Sequence, residues 1–353
     1  MLKSFRYVLF PISVLYAGII YIRNKLYDYN ILKSSSFNFP IICVGNLAVG
    51  GTGKTPMVEY LIRLLKDNYK VATLSRGYKR KTTGFAIAGS DTTAIDIGDE
   101  PMQFHNKFRD ITVSVAEERL VAIPQLLHDR KETEVIILDD AFQHRQVKAG
   151  LNILLTEYKN LYTRDFILPA GDLRDVVESR KRADILVVTK CISHLSPEEK
   201  QKIIVELDPS KDQKIFFTKI EYGGPYHLFT KKEKFLYPET HILLVCGIAN
   251  PKPLKDILST YCATYDMIKY RDHHIFTIDD LKDIKEQFDA IESEDKIILT
   301  TEKDGVRLAK FESEFSDQPI YVLPMKHKIM FGEEEEFNTC VLNFVRSFKK
   351  VVL

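Results

Sequence analysis

Residues 48–55 read Ala48-Val49-Gly50-Gly51-Thr52-Gly53-Lys54-Thr55, between an apolar run at 39–44 and an amphipathic stretch at 57–66. A strand, a glycine-rich loop and a helix start in that order gather backbone N–H groups around a phosphate. Lys54 in such a loop reaches the β and γ phosphates and the Thr55 hydroxyl ligates Mg²⁺, so the pattern predicts a nucleoside triphosphate as ligand. The first glycine of the usual pattern is here Ala48, small enough to fit the turn. A second signature is Val135-Ile136-Ile137-Leu138-Asp139-Asp140. An apolar strand ending in acids sets Asp139 and Asp140 beside the phosphate loop, where a carboxylate holds Mg²⁺ directly or through water. His144, a few residues on, either faces the ligand or is an ordinary loop histidine.

Three further loops carry charge where strand ends gather. Ser75-Arg76-Gly77-Tyr78-Lys79-Arg80-Lys81 offers cations and an aromatic, suited to a phosphorylated or anionic substrate. Gly98-Asp99-Glu100-Pro101 offers paired acids beside a proline-started helix. Leu168-Pro169-Ala170-Gly171-Asp172-Leu173-Arg174-Asp175 is a tight turn with a base and acids.

The elements that must position these groups alternate along the chain. Strand-like runs fall at 41–44, 71–74, 111–115, 135–138, 152–155, 185–189 and 214–218, with helical periodicity between several of them. Repeated βα units imply an α/β fold whose mainly parallel sheet binds ligands at the carboxyl ends of its strands. Residues 84–98, broken by Gly89-Ser90-Asp91, read as an inserted β-hairpin. Residues 221–238, rich in Gly, Pro, Tyr and Lys, read as a connector. A second βα series then follows at 242–245, 264–270, 297–300 and 320–323, closing with a helix from about residue 334. The expected organisation is an N-terminal helix (1–28), a P-loop domain (29–220), the connector, and a smaller α/β lobe (239–353) that includes the C-terminal helix.

Composition fits an enzyme of this class: 353 residues, 45% hydrophobic and 28% charged. A net charge of +1 argues against a nucleic-acid partner, which usually demands a basic excess. Five scattered cysteines without a C-x-x-C pair suggest neither zinc nor disulfides. Residues 7–22 carry no charge, while Lys3, Arg6, Arg23 and Lys25 flank them. A helix of that length spans about 24 Å, short of the roughly 30 Å hydrocarbon core. The expectation is a helix set into one leaflet or barely spanning the bilayer, the alternative being a buried core helix.

Taken in order, the segments Val44-Gly45-Asn46-Leu47 with the phosphate loop and Pro56, Ser75-Arg76-Gly77-Tyr78, Gly98-Asp99-Glu100-Pro101, Leu138-Asp139-Asp140-Ala141-Phe142-Gln143-His144, Leu168-Pro169-Ala170-Gly171, Asp272-His273-His274 and Thr301-Glu302-Lys303-Asp304 resemble the motif set of the tetraacyldisaccharide 4'-kinases, the lipid A kinases. The likeness runs nearly end to end. It departs at Ala141, where the family has glycine, and at Asp175, where it has glutamate.

The resemblance implies a P-loop kinase domain, with ATP and Mg²⁺ as cofactors. It implies transfer of the γ-phosphate to the 4'-hydroxyl of an acylated glucosamine disaccharide 1-phosphate. It further implies an enzyme of the inner membrane with its lobes on the cytoplasmic face, in contact with membrane lipid and needing no obligate protein partner. On that reading Asp99 is the base, His273 its partner, and Lys54 faces the transferred phosphate. Thr55, Glu100, Asp139 and Asp140 surround the metal, while Arg76, Tyr78, His144, Arg174 and Asp175 meet the substrate. A membrane-associated switch ATPase is the alternative. A GTPase is disfavoured, because Lys190-Cys191-Ile192 lacks the Asn and Asp of the guanine-binding motif.

Overall fold

The computed structural model describes residues 6–248, 250–261, 264–272, 274–315 and 317–348. Runs of Val, Ile and Leu form strands buried on both faces, as parallel strands covered by helices must be. In chain order these strands are β1 (Ser35–Ser36), β2 (Ile41–Asn46), β3 (Val71–Ser75), β4 (Ala86–Ile87), β5 (Thr112–Val115), β6 (Val135–Asp139), β7 (Val147–Lys148) and β8 (Leu151–Glu157), followed by β9 (Ile185–Thr189), β10 (Lys214–Tyr222), β11 (Tyr226–His227), β12 (His241–Cys246), β13 (Tyr265–Lys269), β14 (Lys296–Thr301), β15 (Ile320–Leu323) and β16 (Met325–Ile329).

Among the described residues the larger sheet has the order β16-β10-β9-β8-β2-β6-β3-β5-β4. Its interior pairs are parallel, and only the edge strands β16 and β4 run antiparallel to their neighbours. The smaller sheet has the order β11-β15-β14-β12-β13 and is parallel except at β11. Val44 of β2 is in register with Asp139 of β6, so the phosphate loop and the two acids leave the sheet side by side.

Three expectations change. The stretch read as a hairpin contributes only β4, because Thr93 and Asp96 close a capping box that starts a short helix, Ala94–Ile97. Capping by Thr and Asp there outcompetes a second strand. The segment read as a connector begins inside β10 and includes β11, which pairs with β15.

The third change is at the C-terminus. β16 pairs with residues 218–222 of β10, so the chain leaves the first lobe and returns to it as a two-stranded ribbon. The C-terminal helix, Glu334–Ser347, buries Phe337, Val341 and Val345 in the core that holds Ile42, Val44 and Met57. Residues 325–347 thus belong to the first lobe. An apolar stripe on a helix docks wherever matching surface exists, whatever its position in the chain.

The N-terminal helix, Phe10–Asp28, turns its polar residues Ser13 and Asn24 inward, together with Tyr27. Val8, Leu15, Ile19 and Ile22 stand exposed, Leu15 at 70%. The core-helix alternative fails on this orientation, since the apolar side is the one left uncovered. Asn24 Nδ2 donates to Asp175 Oδ1 (2.9 Å), and the Ala170 N–H donates to Ser13 Oγ (2.9 Å). The helical span Tyr7–Asp28 is long and apolar enough to cross a membrane by length and composition.

Phe337 is fully buried, with its ring 5.2 Å from that of Phe216 and 5.5 Å from that of Tyr60. Phe337→Ala is expected to destabilise the P-loop lobe by about 3–5 kcal/mol. Hydrogen exchange should show lost protection in β2 and β10 before β12 and β14. Loss beginning in the smaller sheet would place the helix with the other lobe.

Candidate active site

The phosphate loop is held from several sides by groups distant in sequence. The Val49 N–H donates to Asp172 O (2.8 Å), and the Arg174 N–H donates to Leu47 O (2.7 Å). The Thr189 hydroxyl at the end of β9 donates to Thr52 O (2.7 Å), and His327 contacts Gly53 O (2.9 Å). Gln143 Nε2 donates to Asn46 O (2.8 Å). Val49, Gly50 and Gly51 at the tip are exposed, and Ala48, Thr52 and Gly53 sit deeper. Lys54 and Thr55 begin the helix Lys54–Leu65.

Lys54 Nζ donates to Asn46 Oδ1 (3.2 Å) and lies 3.7 Å from Asp140 Oδ1. Arg174 grips both oxygens of Asp140 and reaches Asn46 Oδ1 at 2.6 Å. Burial pushes the Asp140 carboxyl up, but Arg174 and Lys54 together outweigh it and hold the group below its ordinary range. Its neighbour differs. Asp139 is buried, with only a long contact from Ser75 Oγ (3.4 Å) and with Oδ1 lacking any protein partner. Burial, then Glu100 and Asp140, push its carboxyl up to about 7.

Basic groups face this end of the sheet. Arg119 is buried, its Nε without a partner, at the start of the helix after β5. Burial and the nearby charge of Arg76 lower its pKa. His144 Nε2 is buried and unpartnered; burial, then Arg119, Arg23 and Arg76, hold the ring down to about 4. His144 thus faces the cationic side of the site as a neutral ring. Arg76 and Tyr78 are exposed on the neighbouring loop.

Asp99 opens the helix Asp99–Lys107 after Gly98, whose φ of +93° lets the chain turn from one helix directly into the next. From the second lobe Arg307 brings Nε and Nη2 to Asp99 Oδ2 at 3.0 and 2.5 Å. Arg307 also touches the fully buried Asp304 (3.2 Å), which accepts from the Gly247 N–H and the Thr301 hydroxyl. Glu100 follows Asp99, partly exposed. His273 lies outside the described residues; Asp272 beside it pairs with Lys303 (3.0 Å).

Asp175 requires a correction. Expected to touch substrate, it is buried and accepts from Asn24, Ser179 (2.8 Å), Arg182 (2.9 Å) and the Val176 N–H (2.9 Å). Its bond from Asn24 anchors the N-terminal helix, and the other three donors hold the carboxylate inward.

Asn46, Arg119, Arg307 and His327 had no role assigned from the sequence. Arg119 had a usable signal, since it follows a strand end by four residues. His327 is an inward position of an alternating strand, and a titratable group there asks for a partner. Arg307 gave no signal beyond helical spacing from Asp304.

Comparison with known proteins identifies the family. The model of the tetraacyldisaccharide-1-P 4'-kinase family matches residues 5–346. The chain belongs to that family. Among its relatives, the tetraacyldisaccharide 4'-kinase of Bacteroides thetaiotaomicron is 43% identical over 352 residues, covering 96% of this chain and 93% of that protein. The Flavobacterium johnsoniae enzyme of the same name is 45% identical over 344 residues, covering 97% of each chain. A crystal structure of LpxK from Aquifex aeolicus in complex with ATP superposes with a TM-score of 0.77 at 30% identity, covering 98% of this chain and all of that one. The chain is accordingly an ATP-dependent lipid A 4'-kinase with the α/β P-loop fold, and the switch-ATPase alternative falls away.

The lobes meet through a second charged contact. Lys107 lies between Glu59 of the phosphate-loop helix (2.6 Å) and Glu302 of the second lobe. Glu302 also accepts from the Met325 N–H (3.1 Å). Burial, then Glu59, push the Glu302 carboxyl up to about 7. Between its ordinary pKa of 4.5 and about 7, the folded state keeps a proton that the unfolded chain releases, so this group's stabilisation is lost as pH rises through that window. Asp139 contributes a slope of the same sign. Glu302→Gln should therefore flatten, without abolishing, the fall in melting temperature between pH 5 and 7 in thermal scans; an unchanged slope would exclude Glu302 as its source.

Proposed function

We propose that phosphoryl transfer takes place between the phosphate loop and Asp99. ATP lies along residues 48–55 with its γ-phosphate toward Lys54, and the lipid disaccharide presents its 4'-hydroxyl from the membrane side. The observation that carries this reading is the pairing of a cation with an uncompensated acid. Lys54 is held against Asn46 and Asp140 at the mouth of the loop, while the buried carboxylate of Asp139 lacks a partner on Oδ1.

The residues present fit Mg²⁺. Asp139 is crowded by Glu100 and Asp140, and a divalent cation would relieve that repulsion. An Mg²⁺ ion at a phosphoryl-transfer site needs only one or two carboxylates besides substrate phosphates. Asp139 and Thr55 would hold it, with Glu100 and Asp140 nearby. Bound there, Mg²⁺ would supply charge neutralisation for the transferred phosphoryl group.

The chain's own groups supply alignment and proton transfer. Lys54, released from Asp140, turns to the transferred phosphate. Asp99 accepts the proton of the attacking hydroxyl, oriented by Arg307, with His273 as its partner from the second lobe. Arg76, Tyr78, Arg174 and His144 border the acceptor; the cations suit its existing phosphate. The uncovered apolar side of the N-terminal helix seats the enzyme on the cytoplasmic face of the inner membrane, where the acyl chains reside.

Purified enzyme given ATP, Mg²⁺ and the tetraacyl disaccharide 1-phosphate should add a single phosphate to the lipid by mass spectrometry. Lys54→Ala and Asp99→Ala should each lower turnover by about 10²–10³-fold with the fold intact. Near-normal turnover in either folded variant would remove that residue from its role.

The seat on the membrane is tested separately. Replacing Leu15 and Ile19 together by Lys should move the protein toward the soluble fraction with little change in melting temperature, because both side chains are exposed. Unchanged partitioning would mean that another surface holds the bilayer.

A further inference from the structure

The carbonyl of Gly53 accepts two hydrogen bonds. One comes from the Met57 N–H (3.2 Å) and is the first turn of the phosphate-loop helix; the other comes from His327 on β16 (2.9 Å). A carbonyl only accepts, so His327 Nε2 must carry the ring proton. His327 Nδ1 then accepts from the Thr218 hydroxyl of β10 (2.9 Å), which fixes both tautomer and ring orientation. The ring is buried, and burial holds its pKa down to about 4, so it stays a neutral donor near neutral pH. It also fills the space beside Gly53: a Cβ on that residue, at φ +90°, would lie 2.9 Å from Nε2.

In a trans peptide the carbonyl and the following N–H point in opposite directions. Fixing Gly53 O toward β16 therefore turns the Lys54 N–H the other way, out of the helix start. The first N–H groups of a helix have no intrahelical acceptor and are the ones a phosphate can use. Here Pro56 removes one of them. The first turn is left with the N–H groups of Lys54 and Thr55, and one of the two depends on the Gly53–Lys54 peptide plane.

We propose that His327 is a positioning residue for ATP: by donating from Nε2 to Gly53 O it sets the peptide plane that presents the Lys54 N–H to the nucleotide phosphates. This rests on reading residues 48–55 as the ATP loop.

The test compares His327→Gln with His327→Asn in the full-length kinase, using ATP and the tetraacyl disaccharide 1-phosphate. Both are neutral amides, but only the Gln amide nitrogen stands at the position of Nε2. Asn should raise the KM for ATP about tenfold, the loss of one buried hydrogen bond, and Gln should stay within about threefold of the parent. The KM for the lipid acceptor should not move in either. Equal ATP KM values for the two variants, or an acceptor KM that rises with that of ATP, would overturn the proposal. Should either variant fail to fold, Thr218→Val decides, since it keeps the ring but frees its orientation; an unchanged ATP KM there overturns the proposal as well. Lys54→Ala separates the two readings: if it too leaves ATP binding and turnover unaltered, the loop assignment itself has failed, whereas its loss beside a normal His327→Asn condemns only the role of His327.

Discussion

Two acids at the end of β6 cannot both be ionised in a buried setting unless cations share the space, and much of the site is arranged around that constraint. The chain resolves it by treating the neighbours differently. Asp140 adopts a positive φ of 51° and turns toward Arg174 and Lys54. Asp139 stays on the buried strand, with one oxygen unpartnered and its carboxyl pushed up to about 7. Asn46 completes the arrangement by accepting from both Lys54 and Arg174 at the end of β2. Lys54 cannot shift without altering the field at Asp139.

The second lobe is referenced to this centre by charge as well as by chain connection. Lys107 touches Glu59, five residues beyond Lys54 on the same helix, and Glu302 at the start of a second-lobe helix. Buried ion pairs recover little net stability after desolvation, but breaking one partner is costly, so such contacts fix orientation more than they add to folding. Arg307 does for Asp99 what Lys107 does for Glu59. The ribbon of β10 and β16 runs between the same lobes, and its backbone is hydrogen-bonded from Thr218 to Tyr222. The ribbon and the two polar contacts thus tie the lobes together at three places.

Local chemistry was legible in the sequence, and long-range partnership was not. The strands were readable because buried parallel strands are unbroken apolar runs, and the phosphate loop because its glycines and Lys54 sit within eight residues. The capping box at Thr93 and Asp96 was also local, yet Gly89-Ser90-Asp91 masked it with an equally good turn. By contrast, His327 reaches Gly53, 274 residues away, and Phe337 packs on Tyr60 and Phe216, and nothing in their own segments names those partners. Asp175 illustrates the same limit: an acid after a loop arginine reads as a ligand group until Asn24 and Arg182 are seen to claim it.

The N-terminal helix shows why attachment matters to chemistry here. Its buried side carries polar groups, the reverse of a helix in a soluble core, and its apolar surface is left uncovered. The polar groups do not simply fasten it. Arg6 pairs with the Asp172 carboxylate (2.8 Å), while the carbonyl of the same residue accepts from the Val49 N–H in the phosphate loop. Residues 165–175 therefore lie between the helix and the nucleotide loop and touch both. A kinase joined to its membrane by a flexible tether could bind ATP in any orientation relative to the bilayer. With Asp172 bonded to both Arg6 and Val49, the position of the N-terminal segment relative to the phosphate loop is set by the fold and not by a flexible linker.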